Sequence, residues 1–497
     1  MKKLLILLVL VLCTISLKSQ IKGEIVSDSN NLKIVKIWGT HQERGYAYGY
    51  LMGNDIGAIF NQYIKPQFGL YYPYARNMII DGLHIEIDSI FKVEAKSVIE
   101  GMNAAGKNSS AIDYVDLLVC NSLLDIFRLL STPAKVACST LMSWGDATSG
   151  TDLSGKSVIT RHLDWLTHNA LINNQVMCIN IPDEADEQPW VSVGFAGMLS
   201  VLSGFNQNLG VFQNMMDDYL GYSVFNKNFE PIWYSLRKAI EKKDYNKDGR
   251  NNTSDVKSVL SDHPQGYAGG FLISALAKST EIQDILIAMI AEITPVSPFI
   301  TFRNNDYSDN IPGDNLYTAN YQIARNNSRN YCDRYNMVST ALGAGTGISS
   351  ENSWNLMRDN SHLAHNLQFM QFAPEINMFK ISVYSNGQPA YLNTPMTFNT
   401  NTLLGLSSGL ENTSASQTEI SFYPNPVFDI MTLKGLGEIK NDLHIRVFDL
   451  VGRIVISQEK TNICDEINLD ISSLSKGAYF IKLKYGNEIK SFKIVKE

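Results

Sequence analysis

The hydrophobic periodicity of the chain changes abruptly at Ala137 and Cys138. Ahead of this point, DSIFKVEAKSVIEGMNAAG and AIDYVDLLVCNSLLDIFRLL place apolar residues three and four positions apart, as a helix with one buried face requires. Beyond it, CSTLMSWG, KSVITRHLDW, QVMCINIP and LGVFQNM are runs of β-forming residues separated by turns rich in Gly and Asp. The sequence therefore predicts a mainly helical segment over residues 21–137, after a short opening strand, and an antiparallel sheet that begins at Cys138.

A second change of composition lies near residue 403. The stretch TNTLLGLSSGLENTSASQTE carries few large apolar side chains, which is typical of a linker, and we place the linker at residues 403–418. The domain that begins at Cys138 therefore extends over residues 138–402. Residues 419–497 contain about seven short alternating segments separated by turns, which predicts a small all-β sandwich.

The N-terminus indicates an exported protein, and the net charge argues against one class of partner. Residues 1–20, MKKLLILLVLVLCTISLKSQ, combine two lysines, an apolar run and a small polar end, the pattern of a signal peptide. The apolar run from Leu4 to Leu17 is shorter than the roughly 20 residues of a membrane-spanning helix. A formal net charge of -7 over 497 residues, without a long basic run, argues against nucleic acid as a partner. We expect a small or lipid-like ligand instead.

Cysteine usage makes Cys138 a candidate nucleophile. Apart from Cys13 in the signal peptide, five cysteines are scattered without CxxC spacing, so they predict neither a disulfide framework nor a zinc site, and an odd number leaves a free thiol. If the bond between Ala137 and Cys138 were cut, the new α-amine, with an unperturbed pKa of about 7.7 to 8.0, would supply a base beside the thiol. The simpler alternative is an ordinary core cysteine.

Several ordered fragments carry a family resemblance. ACST, GKSVITRHLDW, LGVFQNMMDD, NLYTANYQ and YCDRYNMV together resemble the N-terminal nucleophile (Ntn) hydrolases of the isopenicillin N acyltransferase and choloylglycine hydrolase type. The earlier WGTHQERGYAYGYLMGNDI is similar to the Gly-x-x-x-Glu-x-Gly-x-x-x-Gly opening of acyltransferase proregions. The resemblance covers about residues 35–400. It implies an α+β chain with a four-layer αββα fold preceded by a helical proregion.

The resemblance also implies a set of site residues. Self-cleavage falls after Ala137, and the catalytic residues are Cys138, Arg161, Asp164, Asn214, Asn320 and Arg334. In the family the aspartate holds the α-amine, the first arginine orients the site, and the asparagines donate to the developing oxyanion. The chain departs from the family pattern at His162, where asparagine is usual, and at Asn320, which lies in Thr-Ala-Asn-Tyr instead of Thr-Asn-His.

The implied reaction is hydrolysis of linear carbon–nitrogen amide bonds in N-acyl substrates through a thioester acyl-enzyme, without a catalytic cofactor. Transfer of the acyl group to an amine is the close alternative. A third possibility belongs to another class of protein, namely a non-catalytic, calcium-stabilised surface protein on the same scaffold.

One further motif predicts a structural calcium site. DYNKDGRNNTSD, residues 244–255, follows the D-x-[DN]-x-[DN]-G pattern of an EF-hand loop, with Gly249 at the sharp turn. The predicted ligands are Asp244, Asn246, Asp248, Arg250 through its carbonyl oxygen, and Asp255. A solvated turn rich in Asn and Asp is the alternative.

The C-terminal segment resembles a secretion signal. FYPNPVFDIMTLKG, VFDLVGRIVIS and INLDISSLSKGAYFIKLKYGNEIKSFKIVKE are similar, in this order, to the type A C-terminal sorting domain of type IX secretion. The resemblance implies recognition by the type IX secretion machinery and a secreted or cell-surface location. A carbohydrate-binding β-sandwich is the alternative.

Overall fold

The computed structural model describes residues 21–130, 137–216, 227–279, 287–305, 309, 311–325, 332–406, 421–436, 442–449, 453–461, 465–485 and 488–497. The predicted signal peptide, most of the predicted linker and Cys464 lie outside these residues. The chain divides into two compact units, Met1–Ser408 and Gly409–Glu497. No helix in the described part of the chain has the length and apolar character that a membrane crossing needs.

The described strands of the first unit are β1 (Gly23–Ser29), β2 (Leu32–Gly39), β3 (Ala137–Ser143), β4 (Val158–Asp164), β5 (Gln175–Pro182), β6 (Trp190–Phe195), β7 (Ser203–Asn206), β8 (Leu209–Met215), β9 (Phe271–Ala277), β10 (Ala288–Ile293), β11 (Ile300–Arg303), β12 (Asn315–Thr318), β13 (Asn366–Ala373), β14 (Met378–Val383) and β15 (Met396–Asn399). Its described α-helices are α1 (His41–Ile59), α2 (Lys65–Phe68), α3 (Tyr72–Ile80), α4 (Ser89–Ala104), α5 (Tyr114–Asn121), α6 (Leu123–Leu129), α7 (Asn169–Ile172), α8 (Ile232–Glu241), α9 (Thr253–Ser261), α10 (Asp333–Leu342), α11 (Ser350–Asn360) and α12 (Thr400–Leu403). A short π-helix, Phe60–Ile64, joins α1 to α2.

The first unit contains two large sheets. Nine strands pair in the order β1-β2-β5-β6-β7-β8-β9-β10-β11, and six pair in the order β12-β3-β4-β13-β14-β15. Strands β2 and β5 pair in parallel, whereas the other registers are antiparallel. The segment before Cys138 therefore supplies two strands to the larger sheet, where the sequence predicted one short opening strand before its helices.

The hydrophobic cores show how the layers of the first unit pack. One cluster contains residues from both sheets, and within it the ring of Phe205 on β7 lies 4.7 Å from Phe372 on β13 and 4.6 Å from Phe379 on β14. Another cluster joins the larger sheet to helices such as α1 and α4, and a third joins the smaller sheet to α10 and α11. The prediction of a mixed α and β chain is thus confirmed.

The second unit is all β in its described residues. Its strands are β16 (Ser421–Tyr423), β17 (Ile430–Lys434), β18 (Leu443–Phe448), β19 (Ile454–Lys460), β20 (Glu466–Asp470), β21 (Gly477–Tyr485) and β22 (Glu488–Lys496). They form a three-stranded sheet, β16-β17-β20, and a four-stranded sheet, β19-β18-β21-β22. Leu433 and Leu469 of the first sheet share a core with Ile445 and Ile481 of the second. The predicted all-β C-terminal unit is confirmed.

Glycines allow α1 and α4 to touch backbone to backbone. A Cβ atom on Gly49 would lie 1.9 Å from the carbonyl oxygen of Val98, and one on Gly101 would lie 2.1 Å from that of Tyr46. Real Cβ atoms do not approach a carbonyl oxygen so closely, so any larger residue must separate the helices. This contact explains the glycine at position 49, in the glycine-rich stretch near the start of residues 21–137.

We expect Gly49→Ala to lower the free energy of unfolding by about 1 to 3 kcal/mol, because the added methyl group overpacks the helix contact. The matched control is Gly57→Ala in the same helix, where the nearest neighbour of the new Cβ is Ser110 Oγ at 3.7 Å. Alanine should be neutral or stabilising there, since it favours helix by up to about 1 kcal/mol over glycine. Thermal unfolding of both variants tests this, and equal losses would contradict it.

A buried ionic network ties the N-terminal segment to the rest of the unit. His41 at the start of α1 contacts Glu94 Oε2 at 2.6 Å and Glu187 Oε1 at 2.9 Å. Arg237 on α8 donates to Glu94 at 2.7 Å, and Arg44 donates to Glu187 at 3.0 Å. Burial by itself lowers the pKa of His41, but hydrogen bonds to Glu187 and Glu94 outweigh it and raise the pKa to about 9. His41 is therefore charged at neutral pH.

The raised pKa of His41 predicts a loss of stability at alkaline pH. The charged network contributes fully below pH 6.5, the ordinary value for histidine, and this contribution disappears as the pH rises through about 9. The melting temperature of the wild type should therefore fall more steeply over this window than that of His41→Gln, whose side chain does not titrate. Parallel pH profiles of the two proteins would refute a charged His41.

Candidate active site

The pairing of β3 with β4 positions the predicted nucleophile. Cys138 lies opposite Leu163, Thr140 opposite Arg161, and Ala137 opposite Asp164. Because directly opposed residues share one face of a sheet and alternate residues switch faces, Cys138 and Arg161 lie on the same face and Asp164 on the other. The register thus brings three of the predicted site residues to one end of the smaller sheet.

Arg161 is the charged neighbour of the thiol. Its Nη2 lies 3.6 Å from Cys138 Sγ and donates to the carbonyl oxygen of Gln213 at 2.7 Å, while Nη1 donates to Ser203 Oγ at 2.6 Å. The side chain is completely buried, and no carboxylate among the described residues forms an ion pair with it. Burial raises the pKa of the Cys138 thiol, and the positive charge of Arg161 opposes that rise.

A chain of hydrogen bonds connects Asp164 to the backbone nitrogen of Cys138. Arg334 donates through Nη1 to Asp164 Oδ2 at 3.2 Å and through Nη2 to Asn320 Oδ1 at 2.5 Å. The same Asn320 oxygen accepts the backbone N–H of Cys138 at 3.3 Å. Asn366 Nδ2 donates to the other Asp164 oxygen at 2.9 Å. Burial raises the pKa of Asp164 to about 7, although Arg334 lowers it.

The two predicted oxyanion donors lie beside this chain. Asn320 Nδ2 donates to the carbonyl oxygen of Met215 at 2.8 Å. Asn214, on β8 of the larger sheet, donates to the carbonyl oxygen of Ala319 at 3.3 Å and contacts Thr140 Oγ1 at 3.4 Å. The site therefore lies where the two sheets meet, and all six predicted catalytic residues are brought together there.

His162, which follows Arg161 in the sequence, packs against an aromatic ring and a backbone carbonyl. His162 stacks on Phe369 with ring centroids 4.0 Å apart, and its Nε2 lies 3.0 Å from the carbonyl oxygen of Met357. Burial lowers its pKa to about 3, so the imidazole stays neutral and packs against the outer helices.

Sequence reasoning did not identify Ser203, Gln213 and Asn366. The first two accept hydrogen bonds from Arg161 and the third donates to Asp164. Each is a neutral residue within a strand, and Gln213 acts through its backbone oxygen. No catalytic motif marks any of the three, so only the tertiary structure could identify them.

An apolar cavity lies next to the site. Trp165 follows Asp164 at the end of β4, lines this cavity, and donates from Nε1 to Tyr63 Oη at 2.7 Å. Trp233 lines it as well and donates to the Gln213 side chain at 3.0 Å. The void at the centre measures about 30 Å³, and flexible Met198 forms part of its wall. Tyr63 belongs to the π-helix, so both the N-terminal segment and the sheet domain build the cavity.

The predicted calcium loop joins α8 to α9. Asp244 accepts the backbone N–H groups of Asp248 at 3.0 Å and Gly249 at 2.8 Å. Buried Asp255 caps α9 by accepting the N–H of Asn252 at 2.8 Å and also accepts that of Tyr245 at 2.6 Å. The oxygens of Asp255 are thus occupied by backbone donors. Calcium binding through Asp244, Asn246, Asp248, Arg250 and Asp255 stays a prediction.

The described residues bring together one other possible metal-binding group, His41, Glu187 and Glu241. These side chains belong to the ionic network, where Arg44 and Lys242 bind Glu187 and Arg237 binds Glu241 at 2.7 Å. Protein cations therefore already neutralise the carboxylates.

The four cysteines in the described residues are free and buried: Cys120, Cys138, Cys178 and Cys332. The expectation of a free thiol is met at the candidate nucleophile itself.

The C-terminal unit has a recognisable identity. Residues 421–497 match the family described as "Secretion system C-terminal sorting domain". This domain marks a protein that is exported by type IX secretion to the cell surface or the outside, and it implies contact with the type IX machinery. The predicted sorting domain and location are confirmed.

Two proteins of Dictyostelium discoideum are similar to part of the chain. "Protein dcd1B" is 23% identical over 234 residues, which are 43% of this chain and 43% of that protein. "Protein dcd1A" is 23% identical over 233 residues, 43% of this chain and 50% of that protein. The matched region thus spans half or less of each relative.

The position of Arg161 predicts its effect on the thiol. We expect Arg161→Met to raise the pKa of Cys138, because the substitution removes the charge that opposes desolvation. Arg161→Lys retains a positive charge and should raise it less. The pH dependence of iodoacetamide labelling at Cys138, followed by mass spectrometry with Cys120 as the internal reference, measures the change. An unchanged profile in Arg161→Met would contradict the assignment.

Proposed function

We propose that this protein is an exported, self-processing cysteine amidohydrolase of the Ntn type, with Cys138 as its nucleophile. The observation that carries the proposal is the hydrogen-bond chain from Asp164 through Arg334 and Asn320 to the backbone nitrogen of Cys138. That nitrogen is the atom that cleavage after Ala137 would convert to an α-amine. The packing of helices, two sheets and further helices supports the αββα assignment.

In the processing step, Cys138 Sγ attacks the carbonyl carbon of Ala137. The carbon–nitrogen bond breaks, the nitrogen of Cys138 leaves with the thiol proton, and Ala137 becomes a thioester on sulfur. Water hydrolyses the thioester, which gives a carboxylate on Ala137 and restores the thiol. Asn320 Oδ1, which accepts the Cys138 N–H at 3.3 Å, holds the departing nitrogen in place.

In the catalytic step, the freed α-amine of Cys138 takes the thiol proton and the thiolate attacks the amide carbonyl of the substrate. Arg161, 3.6 Å from the sulfur, stabilises the thiolate. The amine then protonates the leaving nitrogen, and water resolves the acyl thioester. Asn214 and Asn320 can turn their amide N–H groups from nearby carbonyl oxygens to the oxyanion, an effect worth roughly 3 kcal/mol for each donor.

The cavity beside the site favours an uncharged, apolar acyl group. Leu163 is the cross-strand partner of Cys138, and cavity-lining Trp165 follows two residues later, directly after the end of β4. The cavity wall is formed mainly by aliphatic and aromatic side chains such as Ile59, Leu123 and Leu202. A lipid-like acyl chain would enter by displacing Met198, while the amine portion of the substrate stays outside.

Acyl transfer to an added amine remains the close alternative reaction, since the same thioester precedes both outcomes. A non-catalytic surface protein stabilised by calcium is the alternative from another class. It requires neither cleavage after Ala137 nor a free amine on Cys138.

Processing discriminates between these classes. On a denaturing gel, wild type should give two fragments, the larger one starting with Cys138 by Edman sequencing, whereas Cys138→Ala should stay as one chain. Cys178→Ala, which removes another buried cysteine on β5, is the matched control and should be cleaved normally. A wild type that never exposes Cys138 as an N-terminus would refute the proposal.

Once processed, the protein should hydrolyse N-acyl substrates with apolar chains faster than those with charged acyl groups. Mass spectrometry of products with and without an added amine separates hydrolysis from transfer.

A further inference from the structure

Two rows of basic side chains cover the outward face of the four-stranded sheet in the sorting domain. Arg446 on β18 lies directly opposite Lys482 on β21, and His444 lies opposite Lys484. The rows are two residues apart along each strand, which is a spacing of about 7 Å. The side chains line a groove of about 280 Å³ together with Phe448.

Repulsion between the positive charges in these rows destabilises the sheet, and no feature of the described fold explains why they are placed together. Like charges directly opposite each other destabilise a sheet. Among the described residues, no carboxylate forms an ion pair with Arg446, Lys482 or Lys484, and the one acid on this face, Glu459, lies 3.8 Å from His444. Lysines often protect sheet edges, but β18 and β21 are the two inner strands, so edge protection does not account for them.

Composition does not account for the rows either. Residues 421–497 contain eleven Lys and Arg residues against ten Asp and Glu residues, so the domain has almost no net charge. The basic rows are therefore a local concentration on one face.

An apolar row completes this face. Phe448 lies opposite Phe480 on one side and Ile454 on the other. Ile454 is 52% exposed and Phe480 is 45% exposed. Exposed aromatic and aliphatic side chains beside arginine are typical of protein interfaces. A bare polyanion would gain nothing from the apolar row, whereas a peptide segment with acidic and apolar side chains would contact all three rows.

We propose that this face, formed by His444, Arg446, Phe448, Ile454, Phe480, Lys482 and Lys484, is the surface by which the sorting domain docks onto an acidic segment of a type IX secretion protein. Carboxylates of the partner relieve the repulsion within the basic rows, and an apolar side chain of the partner covers Phe448 and Phe480. The inference rests on the sorting domain and does not depend on the proposed hydrolase activity.

Export of the full-length chain in a bacterium that has type IX secretion tests the surface. Arg446→Glu with Lys482→Glu should lower the exported amount by at least about tenfold and leave the precursor in the periplasm, because the charge reversal repels the acidic partner. The control, Lys460→Glu with Lys476→Glu, makes the same charge change in the same unit away from the groove and should be exported within about twofold of wild type. Normal export of the first variant, or equal loss in both, would overturn the proposal.

Two further measurements identify the partner. A photo-crosslinking amino acid in place of Phe480 should capture a secretion component, and mass spectrometry should map the crosslink to an acidic segment. Crosslinking to a basic or neutral segment would refute the proposed chemistry.

Purified full-length protein should not bind phosphatidylglycerol vesicles. Binding that Arg446→Glu with Lys482→Glu abolishes would show a lipid surface instead of a protein partner. Equal melting temperatures of the variants exclude misfolding as the cause.

Discussion

The antiparallel register of β3 and β4 is the constraint on which the candidate active site depends. It sets Cys138 against Leu163, Thr140 against Arg161 and Ala137 against Asp164. A slip of one residue would exchange the two faces, so the thiol would point toward Asp164 and the guanidinium of Arg161 would leave the sulfur. The register is held because both faces are buried, one against the larger sheet and one against helices α10 and α11.

The N-terminal segment is part of the architecture of the first unit. Its β2 pairs in parallel with β5, and its His41 and Glu94 are buried against Glu187 and Arg237. These contacts are non-covalent, and none of them involves the peptide bond between Ala137 and Cys138. Since Tyr63 of the same segment lines the apolar cavity, the segment also shapes the space next to the candidate nucleophile.

The sequence predicted elements that depend on neighbouring residues and missed contacts between residues that are distant along the chain. The switch to strands at Cys138 and the seven strands of the tail follow from periodicity and turns, which neighbouring residues encode. The parallel pairing of β2 with β5 joins residues about 140 positions apart, so no local pattern announces it. The six candidate catalytic residues were predicted because they lie in fragments that resemble a known family, and four of them, Cys138, Arg161, Asp164 and Arg334, also carry nucleophilic or charged groups. Ser203 and Asn366 could not be predicted, because they are neutral residues outside these fragments and only the fold places them beside Arg161 and Asp164.

The cations of this protein fall into two groups. Some form ion pairs with carboxylates and stabilise the fold, whereas others have no such partner in the described part of the chain and could bind a negatively charged ligand. In the network around His41, two arginines and the histidine contact glutamates, and each charge has an opposite partner. Such a network fixes how elements pack. Arg161 contacts neutral oxygens and a sulfur, and Arg446 faces Lys482; neither forms an ion pair with a carboxylate of the described residues. In our two proposals the missing negative charge is supplied by the Cys138 thiolate in one case and by an acidic segment of a partner in the other.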